Sequence, residues 1–143
     1  MRRADLIAFL RKTQFWTQAS VGADGAPQAA VIGVAVTDDL ELVFDTVTTT
    51  RKAANLRREP RIAMVMWHEA ATAQIEGIAD EPTGDELARI KKIYFATFAD
   101  GPTRESWPDI TYFRVRPTFI RHSDFAGAEP HIEEWHTPFT SLQ

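Results

Sequence analysis

Cysteine is absent from all 143 residues, which excludes disulfides, thiolate zinc sites, iron–sulfur ligation and a cysteine nucleophile together. Also missing is any apolar run near the ~20 residues that a membrane-spanning helix needs. The opening MRRADLIAFL carries Asp5 inside its apolar stretch and leads into Arg11-Lys12, unlike a secretory signal. Positive charge is not in excess. Sixteen Lys and Arg stand against 20 Asp and Glu, a formal charge of −4, so the bulk electrostatics of a nucleic-acid binder are lacking. No internal repeat or low-complexity stretch is visible. The expectation is a soluble, cytoplasmic protein with neither nucleic acid nor membrane as partner. What is present is an ordinary globular balance, 44% hydrophobic and 25% charged. The length suits one domain over residues 1–143. A chain of this size buries roughly 68–70% of the surface it exposes when unfolded.

Residues 4–12 read as a short amphipathic helix with Leu6, Ile7, Phe9 and Leu10 on one side. Residues 15–21 are strand-like, and Gly22-Ala23-Asp24-Gly25 is a turn cluster. Residues 28–36 form a second strand, apolar on both faces and so expected at the centre of a sheet. In residues 40–45, Leu40, Leu42 and Phe44 alternate with Glu41, Val43 and Asp45, as a strand with one buried face does. A polar loop precedes a short helix over 51–58, which Pro60 stops. Strands follow over 61–67 and 72–79, then a helix over 86–98 with Leu87, Ile90, Ile93, Tyr94 and Phe98 on its apolar side. A last strand spans 110–121, where Pro117 predicts an edge position or a bulge. The tail from about residue 126 shows no periodicity. Six strands with short antiparallel connections fit a barrel with appended helices better than a doubly wound sheet.

Chemistry concentrates in Phe44-Asp45-Thr46-Val47-Thr48-Thr49-Thr50-Arg51-Lys52-Ala53-Ala54-Asn55-Leu56. Hydroxyls are followed at once by two cations at a helix start. Free amides already make that end of a helix partly positive, so cations there oppose the helix dipole. Two readings fit these residues. Either an anion such as a terminal phosphate is held by the hydroxyls, the amides and both cations, or Thr50 is a plain N-cap and the cations are solvated.

Together with its flanking strands, this segment resembles the FMN-binding region of the pyridoxamine 5′-phosphate oxidase-like split-barrel flavoproteins. The family pattern is an aromatic strand end, a Thr-containing loop, Ser/Thr-Arg-Lys, a helix with Asn and Leu, then Pro and an apolar strand. Phe44, Thr46, Thr50-Arg51-Lys52, Asn55-Leu56, Pro60 and residues 62–65 fall in that order. Ile75-Glu76-Gly77 and Tyr112-Phe113-Arg114-Val115-Arg116-Pro117 match later strands, so the resemblance runs from about residue 4 to 124. It implies a six-stranded antiparallel split β-barrel, mainly β with flanking helices. It also implies a homodimer with FMN at the subunit interface, and an oxidoreductase acting on a small-molecule substrate or electron donor. By position, Arg51 and Lys52 would hold the FMN phosphate, with Thr46, Thr48, Thr49 and Thr50 adding hydrogen bonds. Backbone around Val31, Ile32 and Gly33 would lie against the ring, and Gln74 or Thr72 would reach its polar edge. Trp107, in the Gly/Pro-rich loop before the last strand, would either pack in the subunit interface or approach the partner's flavin.

The true oxidase carries a Trp and a basic Arg/His segment after its last strand, where this chain reads Ile120-Arg121-His122-Ser123-Asp124-Phe125. A small relative without pyridoxamine phosphate as substrate is therefore expected. A non-catalytic flavin- or haem-binding stress or storage protein is the alternative, as is an F420-dependent reductase using Arg57, Arg58 and Arg61. Of the four histidines, His131 and His136 flank Glu133 and Glu134, but their spacing matches no zinc motif and no metal is expected.

Overall fold

Alternating burial along the strands builds one curled, wholly antiparallel sheet, shown by a computed structural model that describes residues 1–143. The elements in chain order are α1 (Arg3–Leu10), β1 (Phe15–Val21), β2 (Pro27–Gly33), β3 (Ala35–Val36), β4 (Leu42–Val47) and α2 (Arg51–Arg58). They continue with β5 (Arg61–His68), β6 (Ala71–Asp80), α3 (Gly84–Thr97), α4 (Gly101–Arg104), β7 (Ile110–Asp124) and β8 (His131–His136). The sheet runs β2-β1-β5-β6-β7-β4-β3, and β8 adds to β7. The fold is a split barrel, mainly β, with eight strands rather than six.

Two features account for the extra strands. The segment expected as one strand over 28–36 breaks at Val34, whose amide leaves the ladder to donate to the Gln14 carbonyl at 2.8 Å. Before the break the chain pairs with β1, and after it with β4. Both ends of the sheet therefore meet on one chain segment, which closes the barrel. For that reason β2 is not the central strand its two apolar faces suggested. It has a ladder on one side only, and Val31 is 67% exposed. The other addition is β8, where an irregular tail was expected. Its Trp135 sits opposite Ile120 and is buried in the main core.

Leu6, Leu10, Trp16, Phe44, Met66, Ile75, Phe113 and Ile120 anchor that core between the inner sheet face and α1. A smaller apolar cluster of Ile90, Tyr94, Phe98 and Tyr112 lies beneath α3. Tyr112 and Phe113 are thus spent inside the chain. The β1–β2 turn places Gly25 at φ +85°, a left-handed conformation open to glycine without strain. Pro117 has a ladder partner on the β6 side only, since pairing with β4 ends at Val115 and pairing with β8 begins at Phe119. The register shifts between Glu76 and Gly77 opposite Pro117 and Phe119, a β-bulge.

Candidate functional site

Helix α2 starts as the sequence suggested. Thr50, extended at φ −75° and ψ 155°, is the N-cap, and its hydroxyl accepts from the Ala53 amide at 3.4 Å. The Thr46 hydroxyl lies 3.1 Å from that of Thr50 and steadies the cap. The first turn holds no acidic residue, only Arg51 and Lys52. Neither forms a salt bridge, whereas Arg57 pairs with Glu81 at 2.6 Å and Arg61 with Glu59 at 2.9 Å. Arg58 donates to the Val21 carbonyl at 2.6 Å and to Asn55 Oδ1 at 3.1 Å. Those three arginines, named for a longer ligand tail, are therefore engaged within the chain. Lys52 is half-buried, and burial holds its ammonium below the usual lysine range.

Arg51 and Lys52 line a small cavity of about 100 Å³ with Gln18, Ser20, Gln28, Ala29 and Ala30. The helix is fastened to this wall by buried Asn55. Its Nδ2 donates to Ser20 Oγ at 3.1 Å and to Gln28 Oε1 at 2.9 Å. Ser20 and Gln18 take inward positions on β1, where apolar side chains would be the rule; Ser20 is 3% exposed and Gln18 1%. Small Ala30, opposite Gln18 on β2, leaves the space open. The result is an anion-sized recess with two cations free of carboxylates, at the positive end of a helix.

The remaining residues singled out in the sequence are spread around this recess. Thr48 gives its backbone amide to the Asp109 carbonyl at 2.9 Å, and Thr49 is exposed. Ile32 points into the core, while Val31 faces outward on β2. Gly33 lines a separate cavity of about 510 Å³ with Phe15, Asp45, Tyr94, Phe98 and Arg104. There Asp45 accepts from Tyr94 Oη at 3.0 Å and Arg104 Nε at 2.8 Å. Gln74 does not reach the recess of its own chain. It lines a groove of about 390 Å³ on the outer sheet face with Thr17, Ala19, Ala63 and Val65. Trp107, in the turn before β7, is 49% exposed.

Gln18, Ser20 and Gln28 were missed from sequence. Their signal was polar side chains at alternate, inward positions of an otherwise apolar hairpin. Asn55 was noticed as part of a pattern but not for its role as a fastener. No group of three His, Asp or Glu side chains is arranged to hold a metal. His131 bonds Glu133 at 2.9 Å, and His136 packs against Phe119. Arg114, 4% exposed, is consumed by Asp80 at 2.6 Å, Glu86 at 2.6 Å and Glu41 at 3.5 Å.

Comparison with known proteins adds a third line. Residues 4–124 match the family model described as pyridoxamine 5′-phosphate oxidase. The pyridoxine/pyridoxamine 5′-phosphate oxidase of Burkholderia vietnamiensis is 33% identical over 104 residues, 71% of this chain and 47% of that protein. The chain thus spans about half the length of the curated relatives it matches. Among solved structures, a haem binding protein from Mycobacterium smegmatis superposes with a TM-score of 0.81 at 18% identity, over 94% of this chain and 57% of that one. A pyridoxamine 5′-phosphate oxidase-related, FMN binding protein from Nostoc punctiforme superposes with a TM-score of 0.70 at 14% identity, over 94% and 84%. At these identities the two structures speak for the fold alone.

Proposed function

This chain belongs to the pyridoxamine 5′-phosphate oxidase family, and from that premise we propose that it is an FMN-binding oxidoreductase that works as a homodimer. The observation that carries the reading is the pair Arg51 and Lys52, unpaired with any carboxylate at the start of α2 and facing an anion-sized recess. A recess of about 100 Å³ takes a phosphate but not a flavin ring, so the ring lies outside it, along the exposed side of β2. The residues present fit the group. Arg51 and Lys52 would hold the phosphate by charge-assisted hydrogen bonds, and the small side chain of Ala30, opposite Gln18, would let the ligand approach the backbone. Bound flavin supplies the electron or hydride chemistry, and the chain supplies binding and orientation. No side chain near the recess is placed as a general acid or base.

The outer face of β2, β1, β5 and β6 supports a second subunit. In register across it run Val31, Thr17, Val65 and Gln74, and beside them Ala29, Ala19, Ala63 and Glu76. Phe15 and Trp67 extend this face and are 62% and 58% exposed. A partner covering it would bring its Gln74 toward the flavin held by the first subunit. Pyridoxamine 5′-phosphate is not the proposed substrate. A second phosphate needs free cations near the ring, and Arg114 is locked in its carboxylate cluster while Arg121 lies 3.3 Å from Glu134. F420 would need basic residues beyond Arg51 and Lys52, and Arg57 and Arg61 are ion-paired.

Titration of the apo-protein with FMN, followed by flavin fluorescence, tests the assignment. Arg51→Ala with Lys52→Ala removes two charge-assisted contacts of ~1.5–3 kcal/mol each and should weaken affinity at least a hundredfold. The Thr50 cap survives, so the melting temperature should hold. Affinity within threefold of the unsubstituted protein would sink the phosphate site. A Soret band with purified protein, rather than flavin absorbance, would favour the haem reading. Bleaching of bound flavin by NAD(P)H separates an enzyme from a carrier.

A further inference from the structure

Three buried side-chain polar atoms lack any hydrogen-bond partner: Gln18 Oε1, Tyr112 Oη and His122 Nδ1. Only Gln18 belongs to the wall of the cation-lined recess. Its neighbours there are satisfied, since Asn55 serves both Ser20 and Gln28. Gln18 is left over, 1% exposed, on a strand position that a leucine or valine would fill at lower cost. An unpaired buried carbonyl of this kind destabilises the fold. Its retention beside Arg51 and Lys52 points to a ligand.

An acceptor asks for a donor, and that identifies the ligand's chemistry. A phosphate monoester at neutral pH is mostly dianionic, with oxygens that accept but do not donate. The anion that suits Arg51 and Lys52 therefore cannot satisfy Gln18 Oε1. A hydroxyl on the chain that carries the phosphate can. We propose that Gln18 is a specificity-determining residue that accepts a hydrogen bond from a hydroxyl next to the phosphate, so that the recess selects phosphorylated polyols over other phosphates. The inference rests on the flavin reading, because the ribityl phosphate of FMN is such a polyol, but it concerns the tail and not the ring. Ser20 and Gln28, held by Asn55, form the wall of the recess beside Gln18.

Isothermal titration with FMN, ribitol 5-phosphate and methyl phosphate, a monoester without a hydroxyl, tests this on the full chain and on Gln18→Met, which keeps the shape and removes the acceptor. The unsubstituted protein should bind ribitol 5-phosphate about five- to tenfold more tightly than methyl phosphate. In Gln18→Met that preference should vanish, FMN affinity should fall about five- to tenfold, and methyl phosphate affinity should stay within twofold. The melting temperature of the ligand-free variant should be unchanged or higher, the opposite of what loss of a structural contact gives. If Gln18→Met does not fold, Gln18→Leu replaces it in the same titrations. Equal affinities of the unsubstituted protein for ribitol 5-phosphate and methyl phosphate would overturn the proposal, as would FMN affinity within twofold in the variant, which leaves only a bound water. A parallel loss of methyl phosphate affinity would also overturn it, by placing Gln18 on the phosphate itself. Failure to bind FMN with the polyol preference intact would sink the flavin reading and leave Gln18 standing.

Discussion

His122 shows how one buried side chain can set the response of the molecule to acid. It lies on β7 at 5% exposure, edge-on to Phe9 with ring centroids 4.8 Å apart, and its Nδ1 has no partner. Burial holds its imidazole below the usual histidine range, although Asp124 and Glu133 pull the other way. Because the folded state binds that proton less readily than the unfolded chain, its contribution is complete above about pH 6.5 and is lost as pH falls below that value. Melting temperatures at pH 7.5 and 5.5 should therefore differ, and His122→Leu should shrink the difference. An undiminished drop in the variant would assign the acid sensitivity elsewhere. The same linkage acts lower on the scale at Glu86, whose carboxyl is pulled to about 2 by Arg89 and Arg114. Its support is present above the ordinary carboxylate range and lost as pH falls toward that value.

At the scale of elements, the bulge in β6–β7 and the added strand β8 shape the barrel. Gly77 occupies the bulge because a Cβ there would stand 2.7 Å from both the Arg116 carbonyl oxygen and Val115 Cγ1. The carbonyl is backbone and cannot step aside, so Gly77→Ala should cost about 1–3 kcal/mol. Urea denaturation checks it, and a midpoint matching that of the unsubstituted protein would show that the strand pair shifts freely. The bulge also absorbs Pro117, which donates nothing to the ladder, and Thr118, whose hydroxyl donates to the Glu76 carbonyl at 3.2 Å. Strand β8 pairs along β7 from Phe119 to Asp124 and buries Trp135 against the core. That packing uses the tail as structure and takes Trp135 away from any position over a ligand.

For the whole molecule, the question is what covers the outer face of β2, β1, β5 and β6. A total interface larger than ~1,500 Å² is the size a stable homodimer of this kind needs. Light scattering at micromolar concentration should give twice the chain mass of 16.1 kDa. Val31→Glu with Val65→Glu should shift it toward monomer and weaken FMN binding together, since each carboxylate would be buried without a partner at the subunit contact. A monomer with flavin still bound would remove both the dimer and the intersubunit site. The face is otherwise hard to explain, for Phe15, Val31 and Trp67 stand exposed on a chain whose other large apolar side chains are mostly buried.

Local rules made much of this protein readable before folding. Apolar alternation placed most strands, Pro60 stopped α2, and Thr50-Arg51-Lys52 marked the helix start where the recess lies. These signals depend only on neighbours along the chain, so a linear sequence carries them whole. The break at Val34, the pairing of β8 and the burial of Tyr112 were not legible, because each is decided by a partner distant in sequence. Gln14 captures the Val34 amide, Ile120 receives Trp135, and α3 covers Tyr112. The recess belongs to the same class. Gln18, Ser20 and Gln28 come from one hairpin and Arg51 and Lys52 from a helix, and only Asn55, bonding across the gap, makes one site of them. Sequence by itself determined which residues carry charge, hydroxyls and apolar bulk. Tertiary structure decided which of those groups find partners and which, like Gln18 Oε1, are left waiting for one, because hydrogen-bond satisfaction is a property of neighbours in space.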